Sequence, residues 1–168
     1  MDESRQNEET QINPGSNSAQ MIENPVTGER VTFTKRSEDT NGERVEFEIV
    51  AEPHATGPPE QVHENQEEYF EILSGRVSGT LDGTPFSVEA GESFVITAGT
   101  PHRWWNEGND EQHPRVVVEP ALEFTESLET LYGLAADGKT NSKGIPNPLQ
   151  KAVIAYHYWE TNHLASPP

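Results

Sequence analysis

The chain has 168 residues, the usual size of one domain, and carries 29 Asp and Glu against 11 Lys and Arg, a formal net charge of -18. That balance excludes a general nucleic-acid binder and disfavours anionic membranes, since both need cations on the protein. There are no cysteines, so thiol nucleophiles, disulfides and iron–sulfur clusters are excluded, and any metal must be held by nitrogen and oxygen.

Residues 1–20 are polar and aperiodic, with Asn13-Pro14-Gly15-Ser16-Asn17-Ser18, and are expected to form a disordered or extended arm. The start Met1-Asp2-Glu3-Ser4-Arg5 lacks the apolar region of a secretion signal. No run reaches the roughly 18 apolar residues of a membrane span, so a cytoplasmic protein is expected. Apolar residues make up only 32%, and composition alone leaves disorder open. A second reading of the acidity is adaptation to high salt, where self-repulsion is screened and carboxylates stay hydrated; 24 Glu against 4 Lys favour this halophilic expectation.

From Arg30 the pattern becomes that of strands. Val31 and Phe33 alternate with Thr32 and Thr34, and after Asn41-Gly42 the residues Val45, Phe47 and Ile49 alternate with Glu46, Glu48 and Val50. Short strands are then predicted at about 68–73, 76–81, 84–89, 93–97, 101–106 and 115–120, separated by Ser74-Gly75, Asp82-Gly83, Ala90-Gly91 and Ala98-Gly99. Asp82-Gly83 is the clearest hairpin, because a type I′ turn needs two residues that tolerate positive φ. The spacing predicts an all-β antiparallel sandwich or barrel over residues 21–122.

Beyond Pro120 the period changes to that of helices, giving a C-terminal helical extension at 123–168. Phe124, Leu128, Leu131 and Ala135 share one face, with Thr125 as the expected N-cap and Gly138 after the end. Leu149, Ala152, Val153 and Tyr156 form a second stripe, opened by Asn147 as cap and Pro148 in the first turn. Both stripes are expected to pack on the sheet or on a dimer partner.

Chemistry concentrates in two stretches. Gln61 and His63 leave one face of a strand, Glu68 begins the apolar strand Tyr69-Phe70-Glu71-Ile72-Leu73, and His102 follows the turn Thr97-Ala98-Gly99-Thr100-Pro101. Two imidazoles and one carboxylate opening into one interior suit Fe(II), and also Mn, Ni, Cu or Zn, with the Gln61 oxygen as a weaker fourth ligand. Parity places Phe70, Ile72 and Trp104 in the same interior, with Val45, Phe47 and Ile49 beside them. His54, His113, His157 and His163 lie outside these stretches and read as surface or loop residues, with His113 exposed beside Pro114. Glu107-Gly108-Asn109-Asp110-Glu111 lacks the ligand spacing of an EF-hand and reads as a solvated turn. No serine elbow, phosphate loop or dinucleotide fingerprint is present.

These two stretches resemble the paired motifs of the cupins. The first motif, His-x-His, three or four residues, Glu, six residues, Gly, is answered by Gln61-x-His63, four residues, Glu68, six residues, Gly75. The second, Gly, five residues, Pro-x-Gly, two residues, His, three residues, Asn, is answered by Gly91, Thr97-x-Gly99, His102 and Asn106 at the same spacing. Gln61 stands where the family has its first histidine and Thr97 where it has Pro; the first change weakens a ligand, the second alters only a turn. The resemblance, over roughly residues 22–122, implies a jelly-roll barrel with two appended helices, a divalent transition metal at Gln61, His63, Glu68 and His102, and homodimerisation. It implies a metal-dependent, dioxygenase-like oxidoreductase acting on a small apolar or aromatic molecule in a pocket of Phe47, Ile49, Phe70, Ile72 and Trp104. An isomerase or lyase, or a non-catalytic small-molecule binder with a relaxed metal requirement, is the alternative.

Overall fold

A computed structural model describes residues 20–165, and the expected arm at 1–20 lies, apart from its last residue, outside the described residues. Eleven strands follow in chain order among these residues: β1 Met21–Asn24, β2 Glu29–Lys35, β3 Val45–Ala51, β4 Gln61–Val62, β5 Glu67–Ser74, β6 Arg76–Leu81, β7 Thr84–Glu89, β8 Ser93–Ile96, β9 His102–Trp105, β10 His113–Glu119 and β11 His163–Leu164. Two helices, α1 Phe124–Ala136 and α2 Pro148–Tyr158, lie between β10 and β11.

The strands form two antiparallel sheets, a six-stranded one in the order β1-β2-β3-β10-β5-β8 and a five-stranded one in the order β11-β4-β9-β6-β7. This is the jelly-roll arrangement: neighbours in space are distant in sequence, so β5 pairs with β10 and β9 with β6. Alternation sets the inner face. In β3, Val45, Phe47, Ile49 and Ala51 are buried while Glu46, Glu48 and Val50 are only half so, and β5 turns Glu68, Phe70 and Ile72 inward. Phe33, Phe47 and Phe124 run through this interior, with Phe47 stacked on Phe124 at 5.2 Å and edge-on to Phe33 at 5.9 Å.

Turn chemistry fixes the register. Asp82 and Gly83 take φ of 48° and 76°, as a type I′ turn requires, and Leu81 pairs with Thr84 across it. Gly57 has φ +67°, and an added Cβ would stand 1.8 Å from the Trp104 carbonyl oxygen, so only glycine lets the segment leading to β4 lie against β9.

The C-terminal extension departs from expectation in three ways. Thr125 is the second residue of α1 and is buried; Glu123 occupies the N-cap and makes no side-chain cap bond. Asn147 does cap α2, its side chain accepting from the Gln150 backbone N–H at 3.0 Å, but the stripe Leu149, Val153 and Tyr156 faces outward. The half-buried positions are Lys151, Ile154, Ala155 and Tyr158, the neighbouring i, i+3, i+4, i+7 set. After α2 the chain returns to the five-stranded sheet, where β11 pairs with β4.

Candidate metal centre

The five-stranded sheet carries two of the site residues and the six-stranded sheet the third. Gln61 on β4 is paired with His102 on β9, His63 lies one residue past β4, and Glu68 is the first inward residue of β5. His63, Glu68 and His102 are 3%, 4% and 1% exposed, so three ionisable side chains sit together out of water. One ligand atom from each lies within 4.8 Å of the others. His63 Nε2 is 3.6 Å from one Glu68 carboxylate oxygen and His102 Nε2 is 3.1 Å from the other; the two imidazole rings are nearly parallel, 5.3 Å apart.

Surrounding groups decide which ring nitrogens are available. The Gln66 amide nitrogen donates to the Pro120 and Ala121 carbonyls at 2.8 and 2.9 Å, which turns its oxygen toward His63 Nδ1 at 2.9 Å. The Thr161 carbonyl is 3.0 Å from the same nitrogen. A nitrogen held between two acceptors carries the hydrogen, so His63 Nδ1 donates. His102 Nδ1 donates to the Thr100 carbonyl at 2.9 Å in the same way. Both Nε2 atoms therefore direct lone pairs at a carboxylate, and His63 Nε2, His102 Nε2 and Glu68 Oε2 have no hydrogen-bond partner.

Such convergence is costly without positive charge at its centre. Burial acts to raise the Glu68 carboxyl, but the facing His63 and His102 imidazoles outweigh it and hold it below the ordinary carboxylate value. Burial acts to lower His102, and Glu68 outweighs it in the opposite direction. A proton on one imidazole or a bound cation meets the requirement, and two imidazole nitrogens with one carboxylate are a donor set for a divalent transition metal. The residues fit such an ion, with their outer nitrogens already tied to protein acceptors.

Gln61 lines the adjoining cavity, and its oxygen accepts from the Asn162 side chain at 3.0 Å. The motif turn joins the two stretches: the Gly99 N–H donates to the His63 carbonyl at 2.8 Å, and Thr97 and Thr100 hydroxyls bond across the turn at 3.0 Å, in place of the expected rigidity of a proline. Buried Asn106 donates to the Glu52 and Asp110 carbonyls, fixing the loops behind β9. His54 bonds Asn109 on the surface and does not join the cluster. His113, read as exposed, is half-buried on β10 and 2.8 Å from Glu48; His163 stacks on Trp159 and bonds Glu64.

Glu68 opens into a cavity of about 360 Å³ between the inner strand faces and the helices. Phe47, Ile49, Phe70 and Trp104 line it, as parity predicts; Ile72 is fully buried in the core beyond it, because the cavity does not extend that far along β5. Leu128, Leu131 and Tyr132 of α1 form another wall, and Ile154 and Ala155 of α2 another. Sequence reasoning missed Gln66, Thr161, Tyr132 and Glu29. Glu29 alone left a signal, sharing strand parity with Val31 and Phe33.

Residues 47–113 match the family model described as Cupin domain. Among curated proteins the chain is similar to Oxidoreductase iacF of Pestalotiopsis fici, 27% identical over 122 residues, and to Probable oxidoreductase virH of Hypocrea virens, 28% identical over 120 residues. Each alignment covers 67% of this chain but 57% and 53% of those proteins, so the chain spans just over half the length of the curated relatives it matches. Among solved structures it resembles the Cnp3 cupin domain of Schizosaccharomyces pombe, with TM-score 0.53, 14% identity and coverage of 67% of this chain and 75% of that one. It also resembles an RmlC-like cupin from Shewanella frigidimarina, with TM-score 0.54, 15% identity and coverage of 66% and 91%. At these identities the structural likeness is one of fold. Motif spacing, family match and jelly-roll topology agree: residues 47–113 match the cupin domain, and the fold around them is the cupin jelly roll.

Proposed function

We propose that this cupin holds a divalent transition metal through His63 Nε2, Glu68 and His102 Nε2 and acts as an oxidoreductase on a small apolar or aromatic molecule in the adjoining cavity. The observation that carries the reading is the set of three buried ligand atoms, all unpartnered and aimed at one another, with both imidazoles locked in the tautomer that presents Nε2. The names of the two curated relatives support the reaction class, and the aromatic lining of Phe47, Phe70 and Trp104 supports the substrate class.

A metal bound there would supply Lewis acidity and, if redox-active, electron transfer at open coordination positions. The chain's own residues have separate duties. Gln66 and Thr161 hold the His63 ring by its Nδ1 hydrogen, and Thr100 holds His102. The cavity wall orients an apolar substrate and excludes water from the cluster. Gln61, at the position of the motif's first histidine, pairs with His102 across the sheet and has its oxygen engaged by Asn162.

Oxygen uptake by iron-loaded protein with a panel of small aromatic and enediol molecules tests the reaction. Consumption that disappears in Glu68→Gln supports the oxidoreductase reading. Stoichiometric metal with no consumption across the panel would instead favour an isomerase or lyase. Gln61→His is expected to tighten metal binding, because imidazole is the better donor; unchanged affinity would show that residue 61 does not reach the ion.

A further inference from the structure

We propose that Glu29, with Tyr132 and Thr27, is a second polar binding point of the same cavity and that it receives a neutral hydroxyl of the ligand, at the end away from His63, Glu68 and His102. This deepens the functional reading and rests on it for the cavity being the ligand site.

Glu29 begins β2 and, by parity with Val31 and Phe33, points inward; it is 3% exposed and lines the cavity. The Tyr132 hydroxyl donates to Glu29 Oε2 at 2.6 Å, while Glu29 Oε1 has no partner. The buried Thr27 hydroxyl, which also lines the cavity, is unpartnered as well. No cation pairs with Glu29 among the described residues. Burial pushes its carboxyl up to about 7, against the Tyr132 hydrogen bond and the nearby Thr27 hydroxyl, which act to lower it.

Register and helix geometry separate this point from the His–Glu–His cluster. Val118 of β10 pairs with both Glu68 and Val45, whereas Glu29 pairs with Ala51 at the other end of β3. Along α1, Phe124 packs 5.8 Å from the His63 ring, and Tyr132 lies two turns further, about 12 Å at 1.5 Å per residue. The cavity therefore offers two polar ends with apolar walls between them. A hydroxyl suits the Glu29 end because it accepts from a protonated carboxyl and donates to an ionised one. The ligand class is an elongated, largely apolar alcohol or phenol whose reacting part reaches Glu68.

Metal-free protein is titrated by calorimetry with 4-propylphenol, propylbenzene and 3-phenylpropylamine. A purely apolar cavity favours propylbenzene, since the phenol loses its hydration without return. The proposal predicts the opposite order, the phenol roughly tenfold tighter or more. That preference should be abolished in Glu29→Leu/Tyr132→Phe. In the wild type, NOEs from the phenol ring should reach Tyr132, which tests the placement without any variant. Tighter binding of propylbenzene or of the cationic amine, no binding of any probe, NOEs confined to the His102 end, or a preference that survives the double variant would each overturn it. Metal titration of the same sample is scored separately, so intact metal binding with a failed phenol preference leaves the metal reading standing.

Discussion

At the scale of single residues, the centre depends on neighbours that fix where hydrogens sit. Gln66 has its amide nitrogen committed to two carbonyls, so its oxygen has to accept from His63. Removing it frees the ring to flip or change tautomer. Gln66→Ala is expected to weaken metal affinity by about 10- to 100-fold, the usual effect of losing such an outer partner; unchanged affinity by competition with a chelating dye would show that the Thr161 carbonyl suffices.

Glu29 provides a pH signature. Its folded value of about 7 lies above the ordinary 4.5, so the folded state holds this proton more tightly than the unfolded chain. The resulting stability is complete below pH 4.5 and is lost as pH rises through about 7, a total of about 3 kcal/mol at 1.36 kcal/mol per unit. Glu29→Gln removes that slope. Denaturant unfolding at pH 5 and pH 8 should show the variant gaining on the wild type by about 2 to 3 kcal/mol at the higher pH; parallel pH profiles would mean that Glu29 titrates normally.

At the scale of elements, the strands and the inward face of α1 were legible and the phase of α2 was not. Parity in Val45-Glu46-Phe47-Glu48-Ile49 has one solution, because only one face is apolar, and the inner wall follows from it. The pairing of β4 with β9 and the distance between the two histidines had no local signal; they were accessible only through the motif spacing. Glu29 was missed because a charged residue at a strand start looks like a boundary. In α2 two adjacent stripes are apolar enough to face inward, and tertiary placement chose Ile154, Ala155 and Tyr158 over Leu149, Val153 and Tyr156. Val153→Ala is therefore expected to change stability by no more than about 0.5 kcal/mol, and Ile154→Ala to cost about 1 kcal/mol or more. The reverse order in urea midpoints would restore the outward stripe as the packed one.

At the scale of the whole molecule, a net charge of -18 is spread over a chain of 168 residues with only 11 Lys and Arg. Most described ion pairs have at least one half-exposed partner, where screening leaves them little net value. Self-repulsion should then dominate long-range electrostatics, and salt should relieve it because the screening length falls from about 10 Å at 0.1 M to about 3 Å at 1 M. The thermal midpoint is expected to rise as KCl is increased from 0.1 to 2 M. A flat or falling midpoint would show that the acidic surface carries no such cost.

All three scales meet at the cluster of His63, Glu68 and His102, and metal stoichiometry tests it most directly. Protein stripped with chelator, reloaded with Mn(II) and passed through a desalting column is assayed by elemental analysis, alongside His102→Ala with its fold checked by circular dichroism. One ion per wild-type chain and near-complete loss in the folded variant are the predicted results. A wild type that retains no metal, or a folded His102→Ala that retains as much as the wild type, would contradict the account.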